Sequence, residues 1–335
     1  MFSFDSSINF DNPDAERKCF LEFDSNNKGY LDENDFFNLL QALVCKETKP
    51  TIADSAELFC SFDKNKDGKI DSVEYMNVWH NWIKKLVSPI TALLVIDVQN
   101  DFIDGSLALR CCPAKQDAKE VIPVINNILQ TQKFDVIVYS LDYHPENHIS
   151  FIDNVNLYEL SGNYEKDSAK IKLFDRVKFS KPIAMEQVLW PKHCIQKTWG
   201  SEFHPDLKVI KDSIMIYKGT NSDIDSYSAF YDNLKLSETS LHSELQKRHV
   251  THVFVCGIAY DYCVSFTAID ALELGYATVV IRDATKGTDE TSINVMTEKL
   301  KNSNCVIENS SDLEKFLTAK SINLEFAKVM GKHIN

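Results

Sequence analysis

No stretch of this 335-residue chain approaches the roughly 20 consecutive apolar residues that cross a bilayer, and the opening MFSFDSSINFDNPDAERK has neither the basic end nor the apolar run of a secretory leader. Membrane insertion and secretion are therefore not expected, and the cytosol is. An excess of positive charge is missing too, with 36 Lys and Arg against 49 Asp and Glu and a net charge of −13. The deficit is shared: 10 basic and 16 acidic residues up to position 88, then 26 and 33 beyond it. Nucleic acids and anionic membranes are held by clustered Lys and Arg, so neither is an expected partner. Nine cysteines, an odd number without regular spacing, make no disulfide framework and fit reduced thiols, one of which is then free to serve as a nucleophile.

What is present is the composition of a folded globular protein, 44% hydrophobic and 25% charged, at a length that suggests two domains. Residues 10 to 86 read as helix, loop, helix, repeated, with loops Asp24–Asp35 and Asp63–Glu74 as an internal repeat. Tyr75, Val78, Trp79, Trp82 and Ile83 keep helical spacing after the second loop, and Ser88-Pro89 ends that helix, because the residue before proline is pushed out of the helical region. The boundary is placed there, giving a small all-α unit over 1–88 and a larger unit over 89–335.

From residue 91 short, nearly continuous apolar runs appear: Ala92–Ile96, Val136–Tyr139, Ile214–Tyr217, Val253–Cys256 and Thr278–Ile281. Strands buried on both faces look like this. Helical stretches at Ala118–Gln130, Glu238–Arg248 and Cys263–Leu274 alternate with them. The pattern predicts an α/β fold, an open, mostly parallel sheet with helices on both faces. Residues 152 to 187 are polar and poorly patterned, and are expected to form an extended surface excursion beside the active site.

Asp63-Lys-Asn-Lys-Asp-Gly-Lys-Ile-Asp-Ser-Val-Glu74 resembles the twelve-residue calcium loop of an EF-hand. Side-chain oxygens fall at Asp63, Asn65, Asp67, Asp71 and Glu74, Lys69 offers a backbone carbonyl, and Gly68 allows the sharp turn. Calcium is expected there. The first loop keeps Asp24, Asn26, Gly29 and Asp32, but puts Lys28 at a ligand position and ends in the shorter Asp35. An ammonium in the ligand ring repels the ion, so this loop is expected to act as the structural mate of the second.

Asp97 closes the first apolar run, Lys218 follows the third, and Cys263 follows Val253–Gly257 at an expected helix start. In an open parallel sheet, the carboxyl ends of strands are where chemistry is usually placed. A lysine and a helix N-terminus both favour thiolate, and a carboxylate can carry a proton to a leaving amine.

The surrounding words are more specific. Asp97-Val-Gln-Asn-Asp-Phe102, Asp142-Tyr-His144-Pro-Glu-Asn-His148-Ile-Ser-Phe151, Leu189-Trp-Pro-Lys-His193-Cys, Tyr217-Lys218-Gly219, Tyr227-Ser-Ala-Phe230 and Gly257-Ile-Ala-Tyr-Asp-Tyr-Cys263 occur in that order. Together they resemble the nicotinamidase (pyrazinamidase) family of isochorismatase-like cysteine hydrolases, over residues 91 to about 307. The resemblance implies hydrolysis of nicotinamide to nicotinate and ammonia, a step of NAD salvage. It implies Cys263 as nucleophile, Asp97 as proton carrier, and Lys218 as the group that holds both. It also implies a cis peptide at Ile258-Ala259 and an oxyanion hole formed by the Ala259 and Cys263 amides.

Asp142 and His144, two apart on an extended segment, leave one face, and with His193 offer one oxygen and two imidazoles. That set suits a divalent transition metal, zinc first, with iron or manganese also open. His148 is a further candidate, since family members differ in using that position. In the family the metal holds the pyridine nitrogen, which positions the carboxamide against the thiol. Phe102, Trp190 and Tyr227 match the aromatic walls. Two rival readings stand beside this one: another amidohydrolase of the superfamily, or a calcium sensor whose hydrolase-like part is a dead binding module. The sequence leaves the oligomeric state open.

Overall fold

The computed structural model describes residues 4, 9–162, 170–318 and 322–334. Its N-terminal part holds four helices: α1 Pro13–Phe23, α2 Glu33–Leu43, α3 Ile52–Phe62 and α4 Ser72–Val78. Local sequence sets their starts. Asp32 and Asp35 form a capping box on α2, Thr51 and Asp54 one on α3, and Asp71 and Glu74 one on α4, which satisfies amides that a helix N-terminus leaves unpaired. The two loops are joined back to back by a short antiparallel pair, Tyr30–Leu31 with Ile70–Asp71. After α4 the chain makes a wider turn over Trp79–Ile83 and ends its helix at Val87, just before Ser88-Pro89.

Six strands follow: β1 Thr91–Ile96, β2 Val136–Asp142, β3 Ile214–Lys218, β4 His252–Ile258, β5 Ala277–Lys286 and β6 Val306–Glu308. Their order is β6-β5-β4-β1-β2-β3, and every pairing is parallel. In β1 and β4 all residues are buried, as expected of strands covered on both faces. The chain winds outward from β1 to β3 and then crosses back to β4, on the other side of β1. The winding direction reverses between β1 and β4, where open α/β sheets leave a crevice for ligands.

Helix α5 (Val121–Thr131) covers one face, where Ile122, Ile125 and Ile128 meet Leu93, Val95, Phe254 and Val279. Helices α6 (Leu241–Lys247), α7 (Ser265–Glu273) and α8 (Glu290–Asn302) cover the other. Strand β6 and a last helix, α9 (Leu324–Lys332), lie beyond the elements read from the sequence. Helix α9 packs between α3 and β5, so one continuous apolar core includes both the helical N-terminal part and the first sheet face. Among the described residues no helix is long and apolar enough to cross a membrane.

The surface excursion expected over 152 to 187 carries regular structure that its sequence does not show, apart from residues 163–169, which lie outside the described residues. A helical turn at Ile152–Leu157 leads into a three-stranded antiparallel sheet, Glu159–Ser161, Arg176–Lys181 and Met185–Val188. In its middle strand Val177 and Phe179 face a small core with Ile149, Val155 and Leu189, while Arg176 and Lys178 face solvent. This two-residue period is hidden in the sequence by the charged half of the strand.

Candidate active site

Four strand ends meet at the crevice. Asp97 leaves β1 in a left-handed conformation (φ 49°), and its amide donates to the Ser140 carbonyl at 3.3 Å. Lys218 closes β3 beside Asp142, its registered partner on β2. Cys263 lies in the turn Tyr260–Val264 that joins β4 to α7. The Lys218 Nζ lies 2.9 Å from Asp97 Oδ2 as an ion pair, donates to Cys263 Sγ at 3.3 Å and to the Ser226 carbonyl at 3.0 Å, and also pairs with Asp142 Oδ1. The Ser140 hydroxyl donates to Asp97 Oδ1 at 2.6 Å. The three predicted catalytic side chains are therefore together, and Lys218 has a second carboxylate that the sequence reading had assigned to a metal alone.

Electrostatics sharpen the picture and correct one expectation. Burial pushes the Cys263 thiol well above its ordinary range; Lys218 opposes this, while Asp97 and Asp142 add to it. Burial also raises Asp97 against the pull of Lys218. Burial outweighs Lys218 at both groups, so the thiol and the carboxyl that face it each gain proton affinity. Burial would lower Lys218, but Asp142 and Asp97 outweigh it and keep the ammonium charged.

The predicted metal ligands converge next to this group. His144 Nε2 and His193 Nε2 lie 3.5 and 3.8 Å from Asp142 Oδ2, close to the spacing of donors that each sit about 2.1 Å from one ion. His144 Nδ1 faces the Gly219 carbonyl at 2.8 Å and His193 Nδ1 the Pro191 carbonyl at 2.8 Å. A carbonyl oxygen only accepts, so each Nδ1 donates to it and each Nε2 is aimed inward at Asp142, the usual outer support of a metal-binding histidine. Burial would raise Asp142, but Lys218 and His144 outweigh it and hold the carboxyl well below the usual range. The donor set thus fits a divalent transition metal. His148 lies tilted against His144 with ring centroids 4.1 Å apart, pairs through Nδ1 with the Ser150 hydroxyl at 2.7 Å, and among the described residues has no hydrogen-bond partner for its buried Nε2. Burial keeps that ring neutral.

A narrow cavity opens onto both groups, lined by the expected Phe102, Trp190 and Tyr227 together with Ala259 and Cys263. The Ile258–Ala259 peptide is cis, as expected. The sequence reading missed Tyr262 as a wall, although it stands one residue before the thiol; its ring meets Trp190 at 4.8 Å and Tyr227 at 5.1 Å. It also missed the supports. Gln99 bonds both the amide and the carbonyl of Asp142, at 2.9 and 2.8 Å, and Asp101 accepts from the Cys194 amide at 2.7 Å, which fixes the loop bearing His193. Both lie inside the Asp97–Phe102 word, where a signal was available. Gly219 is required by contact: its φ is +63°, and a Cβ there would lie 2.3 Å from His144 Cε1.

In the second N-terminal loop the oxygens expected to hold calcium accept from the loop's own amides. Asp63 accepts from the Asp67 and Gly68 amides at 3.2 and 2.9 Å, Glu74 accepts from Lys64 and Asp71 at 2.8 and 3.1 Å, and Asp71 caps α4. Asn65 Oδ1 accepts from Asp67 at 2.9 Å, and the Lys69 ammonium lies over the Tyr30 ring. In the first loop the Lys28 ammonium lies 2.6 Å from Asp35 Oδ2 and also pairs with Asp32, two oxygens that an ion would otherwise use.

Comparison with known proteins agrees with this geometry. Residues 91–312 match the Isochorismatase domain and residues 14–79 the EF-hand domain pair. A curated nicotinamidase of Acinetobacter baylyi is 39% identical over 198 residues, which are 59% of this chain and 82% of that protein. One of Saccharomyces cerevisiae is 35% identical over 218 residues, 62% of this chain and 94% of its own length. Among solved structures, the nicotinamidase of Acinetobacter baumanii superposes with a TM-score of 0.58 at 38% identity, covering 67% of this chain and 98% of its own. The yeast nicotinamidase bound to the inhibitor nicotinaldehyde gives 0.56 at 32%, covering 65% and 99%. With two thirds of its length matched to one domain, and relatives above 30% identity covered over 82% and 94% of their length, this chain belongs to the nicotinamidase group of the isochorismatase-domain family and carries an added EF-hand pair.

Proposed function

We propose that this chain is a nicotinamidase, converting nicotinamide and water into nicotinate and ammonia. The observation that carries the reading is Lys218, whose ammonium touches Asp97, Cys263 and Asp142 at once inside a buried, aromatic-walled cavity. The flat ring lodges among Phe102, Trp190, Tyr227 and Tyr262, with its carboxamide toward Sγ. Asp97 takes the thiol proton as Sγ attacks the carboxamide carbon, and the Ala259 and Cys263 amides receive the developing oxyanion. Asp97 then gives that proton to the nitrogen, the C–N bond breaks, ammonia leaves and a thioester remains. Water, deprotonated by Asp97, attacks the thioester; the C–S bond breaks, nicotinate leaves, and the thiol regains its proton. Lys218 stays charged throughout and holds thiol and carboxylate in register.

Asp142, His144 and His193 would hold the divalent metal, zinc before iron or manganese, which when bound supplies a Lewis-acid site for the pyridine nitrogen. His148, neutral and with a free buried nitrogen, stands behind them as a further candidate ligand. Calcium is proposed at the second loop, through Asp63, Asn65, Asp67, the Lys69 carbonyl, Asp71 and Glu74. We assign residues 1–88 to the EF-hand unit and 89–335 to the hydrolase, and place the protein in the cytosol, where its nine unpaired cysteines stay reduced. The test is the stoichiometric appearance of ammonia and nicotinate from nicotinamide with the purified, metal-supplied chain. Absence of both products at every metal tried would refute the reading.

A further inference from the structure

Helix α9 packs against α3, which enters the loop of the second hand, and against the Trp79–Ile83 turn that follows α4. Its Gly331 sits so close to α3 that a Cβ would lie 2.3 Å from Leu58 Cδ2 and 3.3 Å from Phe62 Cζ, while the Trp82 indole, beyond α4, donates to the Ala327 carbonyl at 2.8 Å. Two ion pairs flank the seat, Lys328 with Asp54 at 3.1 Å and Lys332 with Glu57 at 2.9 Å. The helix entering the calcium loop and the Trp79–Ile83 turn that prolongs the leaving helix therefore hold the same partner. That is the way hand pairs hold an amphipathic target helix, here with the target supplied by the chain itself.

The loop also touches the chain just past the C-terminal end of α9. Lys64, the second loop residue, gives its amide to Glu74 Oε1 at 2.8 Å and its ammonium to the Ile334 carbonyl at 2.8 Å. On its far side the helix rests on the hydrolase sheet, where Phe326 meets the His252 ring at 5.1 Å.

We infer that α9 and calcium are linked ligands of the second hand: each strengthens the binding of the other, and the helix is the element through which the hand pair is fastened to the hydrolase. This rests on the proposed calcium site. The reason is geometric. Calcium fixes the angle between the helices entering and leaving its loop, and α9 fits one such angle, the one seen here with Glu74 folded across the loop start. Linkage is reciprocal, so loosening the helix must weaken calcium by the same factor.

Calorimetric titration of calcium into the full chain tests this with two variants that leave every loop oxygen in place. Gly331→Leu, which forces the helix off α3, is expected to weaken calcium by about fivefold or more. Lys64→Met, which keeps the helix packing and removes only the tie to Ile334, is expected to weaken it by about two- to fivefold. The second variant carries an internal check, because deleting a positive charge beside a calcium loop would by itself tighten binding. Tightening in Lys64→Met, or equal affinity in all three proteins, overturns the linkage while leaving the calcium site intact. A wild-type chain that takes up no calcium removes the site and the linkage with it.

Discussion

Two lysines in this molecule each sit between two aspartates, and they do different things. Lys218 pairs with Asp97 and Asp142 where the three side chains are 0%, 0% and 6% exposed. Lys28 pairs with Asp32 and Asp35 in the first EF-hand loop, where the three side chains are 19%, 41% and 2% exposed. Residue types and contacts are alike; the surroundings are not. In the crevice there is little water to screen the charges, so the ammonium shapes the proton affinities of Asp97 and Cys263. At the loop Lys28 and Asp32 are open to water that screens them while Asp35 is buried, and the consequence of the trio is steric and electrostatic occupation of an ion's place.

The largest effect that sharpens this contrast is chemical. Cys263→Ala should lower nicotinamide turnover by about 10³-fold or more with an unchanged fold, measured as ammonia release, since the neighbouring Cys256 and Cys194 are held elsewhere in the core. Lys218→Met should follow closely in activity and also cost stability, about 3–5 kcal/mol in urea unfolding, because it leaves two buried carboxylates without their cation. A Lys218→Met protein as stable as wild type would break the comparison.

Metal removal comes next. A strong chelator should abolish activity and a transition metal restore it, and His193→Ala should raise KM as well as lower kcat, for a loss of roughly 100-fold in kcat/KM. Fully active protein without transition metal by elemental analysis would contradict this. Glu74→Gln should weaken calcium by about tenfold, by removing a charge and one good bidentate ligand. The smallest effect is expected at the other lysine: Lys28→Ala should shift Tm by no more than about 2 °C and leave kcat/KM unchanged. A shift as large as that of Lys218→Met would erase the distinction between the two trios.

How much of this was legible in the sequence follows the same divide between local and distant causes. Asp97, Lys218 and Cys263 follow apolar runs whose ends parallel strands bring to one edge, but it is the resemblance of the surrounding motifs that made their roles readable. The same resemblance singled out Asp142, His144 and His193, while the second calcium loop was readable from its own twelve-residue pattern. Helix α9 was not, because its apolar face has meaning only against Leu58 and Trp82, some 250 residues earlier in the chain. Strand β6 was too short at three residues to show a pattern. The contact of Lys218 with Asp142 depends on the register of β2 with β3, which no local word encodes. The raised proton affinity of Cys263 depends on burial, which a list of neighbouring charges leaves out.

The central claim is that Cys263 attacks the carboxamide of nicotinamide. Acid quenching of the wild-type protein during turnover, followed by intact and peptide mass analysis, tests it most directly. The account predicts a nicotinoyl group carried on the peptide containing Cys263, formed within the first turnover and lost as nicotinate accumulates. Turnover without any acylated Cys263, or an acyl group on another residue, would contradict it.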